Sequence, residues 1–539
     1  MYGSITLENR FGVNKMELIS LKYAIFVIVL LVLYYCFPKK YRWYVLLAGS
    51  MAYYVIICKW YVLFIIFTIC TTYGSTIWID KLLKEQNAIV KSHKEDWDRQ
   101  TRKEYKEKGR KKRVAVMLFA LLCNFGILAF LKYIPYAGEL GLLLPLGISF
   151  YTFQSMGYVM DVYREIVEPE KNFFKVALFV SFFPQIIQGP IAIYDKLAGQ
   201  LYEGHSLRLE NLQKGALLVL WGVMKKLVIA DRAVNIINFV MDKPMDFSGT
   251  YVFFAAVVYA LQLYADFSGG IDIVRGIAEM FGITMSTNFN HPYFSRSLTE
   301  YWHRWHMTLG DWCRNYIFYP LSISKRFLNF GKWLKPRFGA HISKVLPGCI
   351  ASVITFIVIG VWHGANMKYL YFGLWNGIVI MLAELFAPVN KKVAGGFFKL
   401  TGLREKGIFA TIISVLWTFM LILVGYYFDI AANASTAFHM LFKSVTDFHI
   451  SELGINNIIL NLGACGLDEY DILLLIICTL LWFFISFVEE NKKLDMRDFI
   501  LSRKLPLRWA IIYLGIFIVI IFGYYGPGVN PADFVYMQF

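Results

Sequence analysis

Charge is scarce in this chain. Only 17% of its 539 residues are Asp, Glu, Lys or Arg, against roughly 25% in soluble domains. That shortage excludes a water-soluble enzyme with an ordinary charged surface. No repeat of about 20–50 residues and no low-complexity tract is present, which excludes solenoids and propellers. The two halves do not resemble one another, which weakens a transporter built from duplicated repeats. No soluble insertion of domain size interrupts the apolar text. The eight cysteines follow no disulfide or metal spacing. Cys36, Cys58, Cys70, Cys123, Cys349 and Cys478 fall in apolar stretches, where cysteine acts as a small hydrophobe. The polar segment before Lys22 lacks a small-residue cleavage site, so no signal peptide is expected.

What is abundant is apolar sequence, 58% of the chain. A spanning helix needs about 20 mostly apolar residues. Stretches approaching or reaching that length lie at 18–37, 43–58, 60–79, 114–132, 142–162, 213–230, 250–265, 346–362, 368–387, 408–428, 472–488 and 508–525. They predict an all-α polytopic membrane protein with about eleven transmembrane helices, because lipid leaves the backbone no partner but itself. Residues 174–193 are apolar but interrupted by Pro184, Gly189 and Pro190, which predicts a broken or re-entrant helix. Gly269 and Gly270 are expected to end the span before them. The single integral-membrane domain expected over 1–539 contains a basic loop at 91–113, interfacial amphipathic helices over 266–345, and a histidine-bearing region at 346–387.

The net charge is +16. Its basic residues gather in loops, at 38–42, 91–113, 325–337, 391–392 and 492–508. The positive-inside rule explains this pattern, so membrane lipids are the expected partners and nucleic acid is not. The loop at 429–471 is acidic, with Asp429, Asp447 and Glu452 among its members. It is expected outside, with the basic loops in the cytoplasm of a bacterial cell membrane.

Two histidines carry the chemistry. His363 lies in "VWHGA", after an almost unbroken apolar run and between Gly360 and Gly364. An ionisable group at membrane depth is a functional hypothesis by default. Burial disfavours imidazolium, so a neutral His363 could act as a base near neutral pH; a histidine simply hydrogen-bonded within a bundle is the competing structural reading. His306 lies in "TEYWHRWHMTLGDWCRNYIFYP", residues 299–320. Glu300, His303 and His306 recur every three residues, but on a helix each step drifts by roughly 60°, which argues against a metal site. His306 and Asp311 match a loose acid–base spacing with only two fixed positions. Arg304 and Arg314 could meet phosphates, of lipids or of a nucleotide-bearing acyl donor. Asp266 and Asp272, beside the paired glycines, are expected to face water or cap a helix.

These blocks occur in an order that resembles the membrane-bound O-acyltransferase family, and within it the bacterial alginate O-acetyltransferase branch. The matching text is "FPKKYRW" at 37–43, "LPLGISFYTFQSMGYVMDVYR" at 144–164, "VSFFPQIIQGPI" at 180–191 and "GVMKKLVIAD" at 222–231. It continues with "YALQLYADFSGGIDIVRGIAEMFGI" at 259–283, "NFNHPYFSRSLTEYWHRWHMTLGDW" at 288–312, "VWHGA" at 361–365 and "DFVYMQF" at 533–539. The chain departs from the branch at His303, Asp311 and Asn315, where other residues are usual.

The resemblance implies a funnel-shaped helical bundle with a tunnel through the membrane. It implies His363 as the catalytic histidine and His306 as the second histidine of the site, with no metal. The expected reaction moves acetyl from cytoplasmic acetyl-CoA toward an extracytoplasmic acyltransferase partner or a glycan acceptor, for O-acetylation of a polysaccharide. Arg304 and Arg314 would contact the acyl donor. The rival readings are D-alanyl transfer to teichoic acid from a carrier protein, and a non-enzymatic transporter or export component.

Overall fold

A computed structural model describes residues 16–134, 138, 142, 144–402, 404, 407–454, 457, 463–526 and 534. The family-like ending at 533–539 therefore lies outside the described residues except at Phe534. Every regular element among the described residues is helical. The chain divides into two compact units, one of residues 1–219 and 271–286, the other of 220–270 and 287–539.

Among the described residues, seven helical stretches are long and apolar enough to cross a bilayer, or eight if the bent pair Met367–Leu385 and Ala387–Thr401 forms one span. The expected eleven is not reproduced, and the reason is physical. Hydropathy cannot tell a helix buried in protein from one facing lipid. The helix Ile148–Tyr163 shows this, with thirteen of its sixteen residues buried and Gln154 and Asp161 among them. Leu21–Cys36 is also only 16 residues long, about 24 Å at 1.5 Å per residue and short of a hydrocarbon core. The expected spans 43–58 and 60–79 form one continuous stretch, Lys39–Ser92, bent at Lys59, whose φ is 50°. At the other extreme, Leu505–Phe522 is strongly apolar yet has no buried residue. Only a bilayer can cover such a helix, and the chain is a multi-pass membrane protein.

In the first unit the apolar segment 173–188 is broken, as expected. Phe173–Ser181 ends at Phe182, whose extended ψ precedes Pro184, and Phe183–Gln188 follows. Pro184 lies in the first turn of the second helix, where its missing N–H costs no intrahelical bond. The backbone groups released there find side chains. Ser50 Oγ accepts from Phe183 N at 3.1 Å, and Gln154 Nε2 donates to Phe179 O at 2.5 Å. Gln185 Nε2 donates to Gln154 Oε1 and to Pro190 O. This is how irregular backbone survives in an apolar interior. The expected basic loop at 91–113 is mostly helix. Arg99–Tyr133 begins behind Asp98, whose carboxylate caps Thr101 N at 2.9 Å.

In the second unit the paired glycines do not end a span. The helix Gly249–Met280 runs through Gly269 and Gly270 without interruption. A methyl group on Gly269 would come within 2.8 Å of Gly222 O. The glycine therefore allows a close backbone approach, at a helix-propensity cost of about 1 kcal/mol. Beside it, Asp266 does not face water or cap a helix. It is fully buried and pairs with Lys226 Nζ at 2.6 Å, while Asp231 pairs with the same ammonium at 2.8 Å. Lys225 Nζ donates to Ser268 Oγ at 2.8 Å. Glycines also seat Met367–Leu385 against Lys325–His363. Methyl groups on Gly360 and Gly373 would meet Tyr369 O at 2.2 Å and Phe356 O at 2.4 Å.

Candidate functional site

His306 occupies the joint between two short helices, Leu298–Arg304 and Met307–Cys313. Trp305 is extended, and His306 itself is left-handed with φ 43°. That conformation is uncommon for a residue with a side chain and is held by the surroundings. Asn288 provides the hold. Its backbone carbonyl accepts from Met307 N at 2.9 Å. Its Oδ1 accepts from Thr308 N at 3.1 Å and Thr308 Oγ1 at 2.8 Å. The same Oδ1 lies 3.1 Å from His306 Nδ1.

This arrangement selects a tautomer. A backbone N–H can only donate, so the Asn288 atom facing Thr308 N is the oxygen. An oxygen acceptor requires His306 Nδ1 to carry the proton, which leaves Nε2 with the lone pair. His306 is 2% exposed, and the Phe267 ring packs edge-on at 4.9 Å. Burial, and secondarily His363, push its pKa down to about 3. It is neutral at physiological pH.

His363 is the last residue of Lys325–His363, two helices joined through a kink at Gly339. Its ring contacts Trp362 at 4.9 Å, Phe372 at 5.6 Å and Tyr369 at 6.0 Å between centroids. His306 and His363 line one narrow cavity of about 30 Å³, room for roughly one water. The two histidines singled out in the sequence thus come together, although 57 residues separate them.

Other walls of the cavity were not foreseen. Trp302 Nε1 donates to Asn376 Oδ1 at 3.0 Å, and Asn376 Nδ2 donates to Phe372 O at 2.9 Å. The Tyr301 and Tyr426 hydroxyls are 2.7 Å apart. Asp429, assigned in the sequence to an external loop, instead belongs to the helix Ile408–Ile430 and lines the cavity. Tyr259 OH donates to its Oδ2 at 2.7 Å. The missed signal was position: Asp429 sits one residue before the end of an apolar run.

The alternative constellations separate. His303 is exposed while His306 is buried, and the non-helical Trp305 stands between them, so the three-residue spacing does not build one face. Asp311 pairs with Arg314 at 2.5 Å, whereas the oxygen beside His306 Nδ1 belongs to Asn288. Arg304 pairs with Glu300 at 2.7 Å and Glu490 at 2.9 Å. Neither Arg304 nor Arg314 lines the histidine cavity.

Residues 169–335 match the family model for MBOAT, the membrane-bound O-acyltransferase family. Across 315 residues the chain is 31% identical to a Pseudomonas syringae pv. tomato protein described as "Probable alginate O-acetylase AlgI", covering 58% of this chain and 54% of that one. It is 29% identical over 314 residues to the "Peptidoglycan O-acetyltransferase" of Helicobacter pylori, covering 51% and 56%. It is 26% identical over 288 residues to the "Teichoic acid D-alanyltransferase" of Bacillus subtilis, covering 52% and 67%. The chain spans little more than half the length of the first two. The matched region holds Asn288 and His306, and the all-helical membrane architecture agrees with a match of residues 169–335 to the membrane-bound O-acyltransferase family model.

Proposed function

We propose that this protein is an O-acyltransferase that moves acetyl from acetyl-CoA toward an acceptor outside the membrane, for O-acetylation of a surface or secreted polysaccharide. The observation that carries the reading is the pair of histidines on one narrow cavity inside a membrane protein. The relatives' names supply the reaction class: one is a probable alginate O-acetylase, another a peptidoglycan O-acetyltransferase.

The chemistry needs a base, a low-dielectric chamber and no charged co-reactant. The acceptor's hydroxyl gives its proton to His363 as its oxygen attacks the thioester carbonyl. The tetrahedral centre collapses, the carbon–sulfur bond breaks, and the thiolate takes up the proton, releasing CoA as a thiol. His306, uncharged and with its Nδ1 proton engaged by Asn288, presents a lone pair that orients the acceptor hydroxyl. We assign Arg314 to the donor's phosphates, since it is partly exposed and paired with its near neighbour Asp311; Arg304 is held by two carboxylates.

D-alanyl transfer to teichoic acid from a carrier protein is the second reading, supported by the similarity to the Bacillus subtilis transferase. Purified protein, with its partner where one is required, should release thiol from acetyl-CoA in a His363-dependent manner. Release from an aminoacyl carrier alone would support the second reading. A His363→Ala strain with normal protein level and unchanged glycan acetylation would overturn the acetyl-transfer reading.

A further inference from the structure

A second cavity, of about 520 Å³, lies wholly within the first unit. It sits beside the turn joining the helices Val62–Ser92 and Arg99–Tyr133. Arg99, Arg102, Lys103, Lys106, Arg110 and Arg113 line it, against only Glu107 and Glu165 as carboxylates. Loops collect basic residues for topological reasons, but topology does not require a cavity or a buried guanidinium. This site has both.

Arg113 is 7% exposed. Its Nη1 donates to the neutral Gln86 Oε1 at 2.7 Å, and Glu165 stands 4.0 Å away, a loose pairing. Its Nε is buried with no hydrogen-bond partner. Arg102 Nε is also buried and unpartnered, although its Nη2 holds the carbonyls of Lys94 and Trp97 at 2.9 and 3.0 Å. Burying guanidinium donors without an anion is costly. Gly109 lies against the end of the Gln86 side chain, the acceptor of Arg113. Exposed Arg99, Lys103 and Lys106 form the rim, and no ion pair engages them among the described residues.

The depth of the site points to its ligand. Arg113 is the last basic residue before the apolar half of its helix, which begins at Val114. That boundary is the level of lipid headgroups. Guanidinium groups suit phosphate oxygens in particular, through charge-assisted hydrogen bonds. We propose that this cavity binds one phosphate group, presented by an anionic lipid headgroup or by a soluble phosphate ester. The site stands apart from acyl transfer and does not depend on that reading.

The test uses full-length protein in detergent. Native mass spectrometry after exposure to phosphatidylglycerol or phosphatidylcholine reads lipid retention. Thermal shift with inorganic phosphate and glycerol 3-phosphate reads the soluble source. The variants are the rim triple Arg99→Ala, Lys103→Ala, Lys106→Ala and the single Arg113→Gln. Because the rim residues are exposed, the triple variant should fold even if Arg113→Gln does not. The expected result is preferential retention of one phosphatidylglycerol, reduced about tenfold or more in the triple variant. A thermal shift by the soluble phosphates, lost in the triple variant, with no lipid preference would assign the site to a soluble ester. Equal retention of both lipids with no phosphate shift overturns the proposal. So does any preference that the triple variant leaves unchanged.

Discussion

Asn288 Oδ1 lies 3.1 Å from His306 Nδ1 and accepts from both donors of Thr308. One amide oxygen therefore fixes the position and the tautomer of a buried histidine. Asn288→Ala should lower kcat about 10–100-fold with little change in KM, because it frees the tautomer without touching the donor's phosphates. It should also cost about 1–3 kcal/mol of stability, as Thr308 loses buried partners. Steady-state kinetics beside thermal unfolding in detergent separates the two effects. A KM change alone would contradict the positioning role.

Removal of either histidine should act on the chemical step. His363→Ala and His306→Ala should each lower turnover by about 10²–10⁴-fold, the usual worth of acid–base catalysis. Because they serve one reaction, the double variant should be little worse than the poorer single. Thiol release from acetyl-CoA gives the measurement, and fully multiplicative losses would show that they act separately.

The acid side of the stability profile should carry the mark of His306. Burial holds its folded pKa at about 3, below the ordinary 6.5. Between those values the unfolded chain takes up a proton that the folded chain refuses. The stability present above about pH 6.5 is therefore lost progressively as pH falls toward 3. Wild type should lose more in Tm between about pH 7.5 and 4.5 than His306→Asn, which has no such proton to refuse. Parallel losses in both proteins would contradict the buried, neutral state.

Glycines of the hairpin that carries His363 should divide by their surroundings. Gly360→Ala would drive its methyl into Tyr369 O at 2.2 Å, and should destabilise by about 1–3 kcal/mol or more. Gly348, in the same helix, has nothing within 4 Å of an added methyl. Gly348→Ala should be neutral or stabilise by up to about 1 kcal/mol. Thermal unfolding of both variants in detergent is the check.

Lys226 should not tolerate loss of charge. Lys226→Met would leave Asp231 and Asp266 buried without their shared cation, at a cost of about 3–5 kcal/mol. Adding Asp231→Asn and Asp266→Asn to it should recover much of the loss. A single variant as stable as wild type would mean that the triad is dispensable.

The helical class and the two histidines were legible in the sequence because each rests on a local signal: apolar runs for the helices, and ionisable groups in unusual surroundings for His306 and His363. The span count was less legible, because hydropathy records composition and not what a helix faces, as the buried Ile148–Tyr163 shows. Gly269 read as a helix end because an isolated sequence does not reveal the neighbouring backbone that makes a glycine useful. Asn288 carried no local signal, and Asp429 only its place near the end of an apolar run. Their importance comes from what the chain brings beside them, 18 residues away for Asn288 and 170 for the Tyr259 partner of Asp429.

The narrowness of the histidine cavity has an electrical consequence. A bacterial membrane stores energy as a voltage, and a water-filled pore would discharge it. A chamber of about 30 Å³ has room for about one water, too little for a hydrated ion. The two histidines can thus share a chamber that is not itself a water-filled pore.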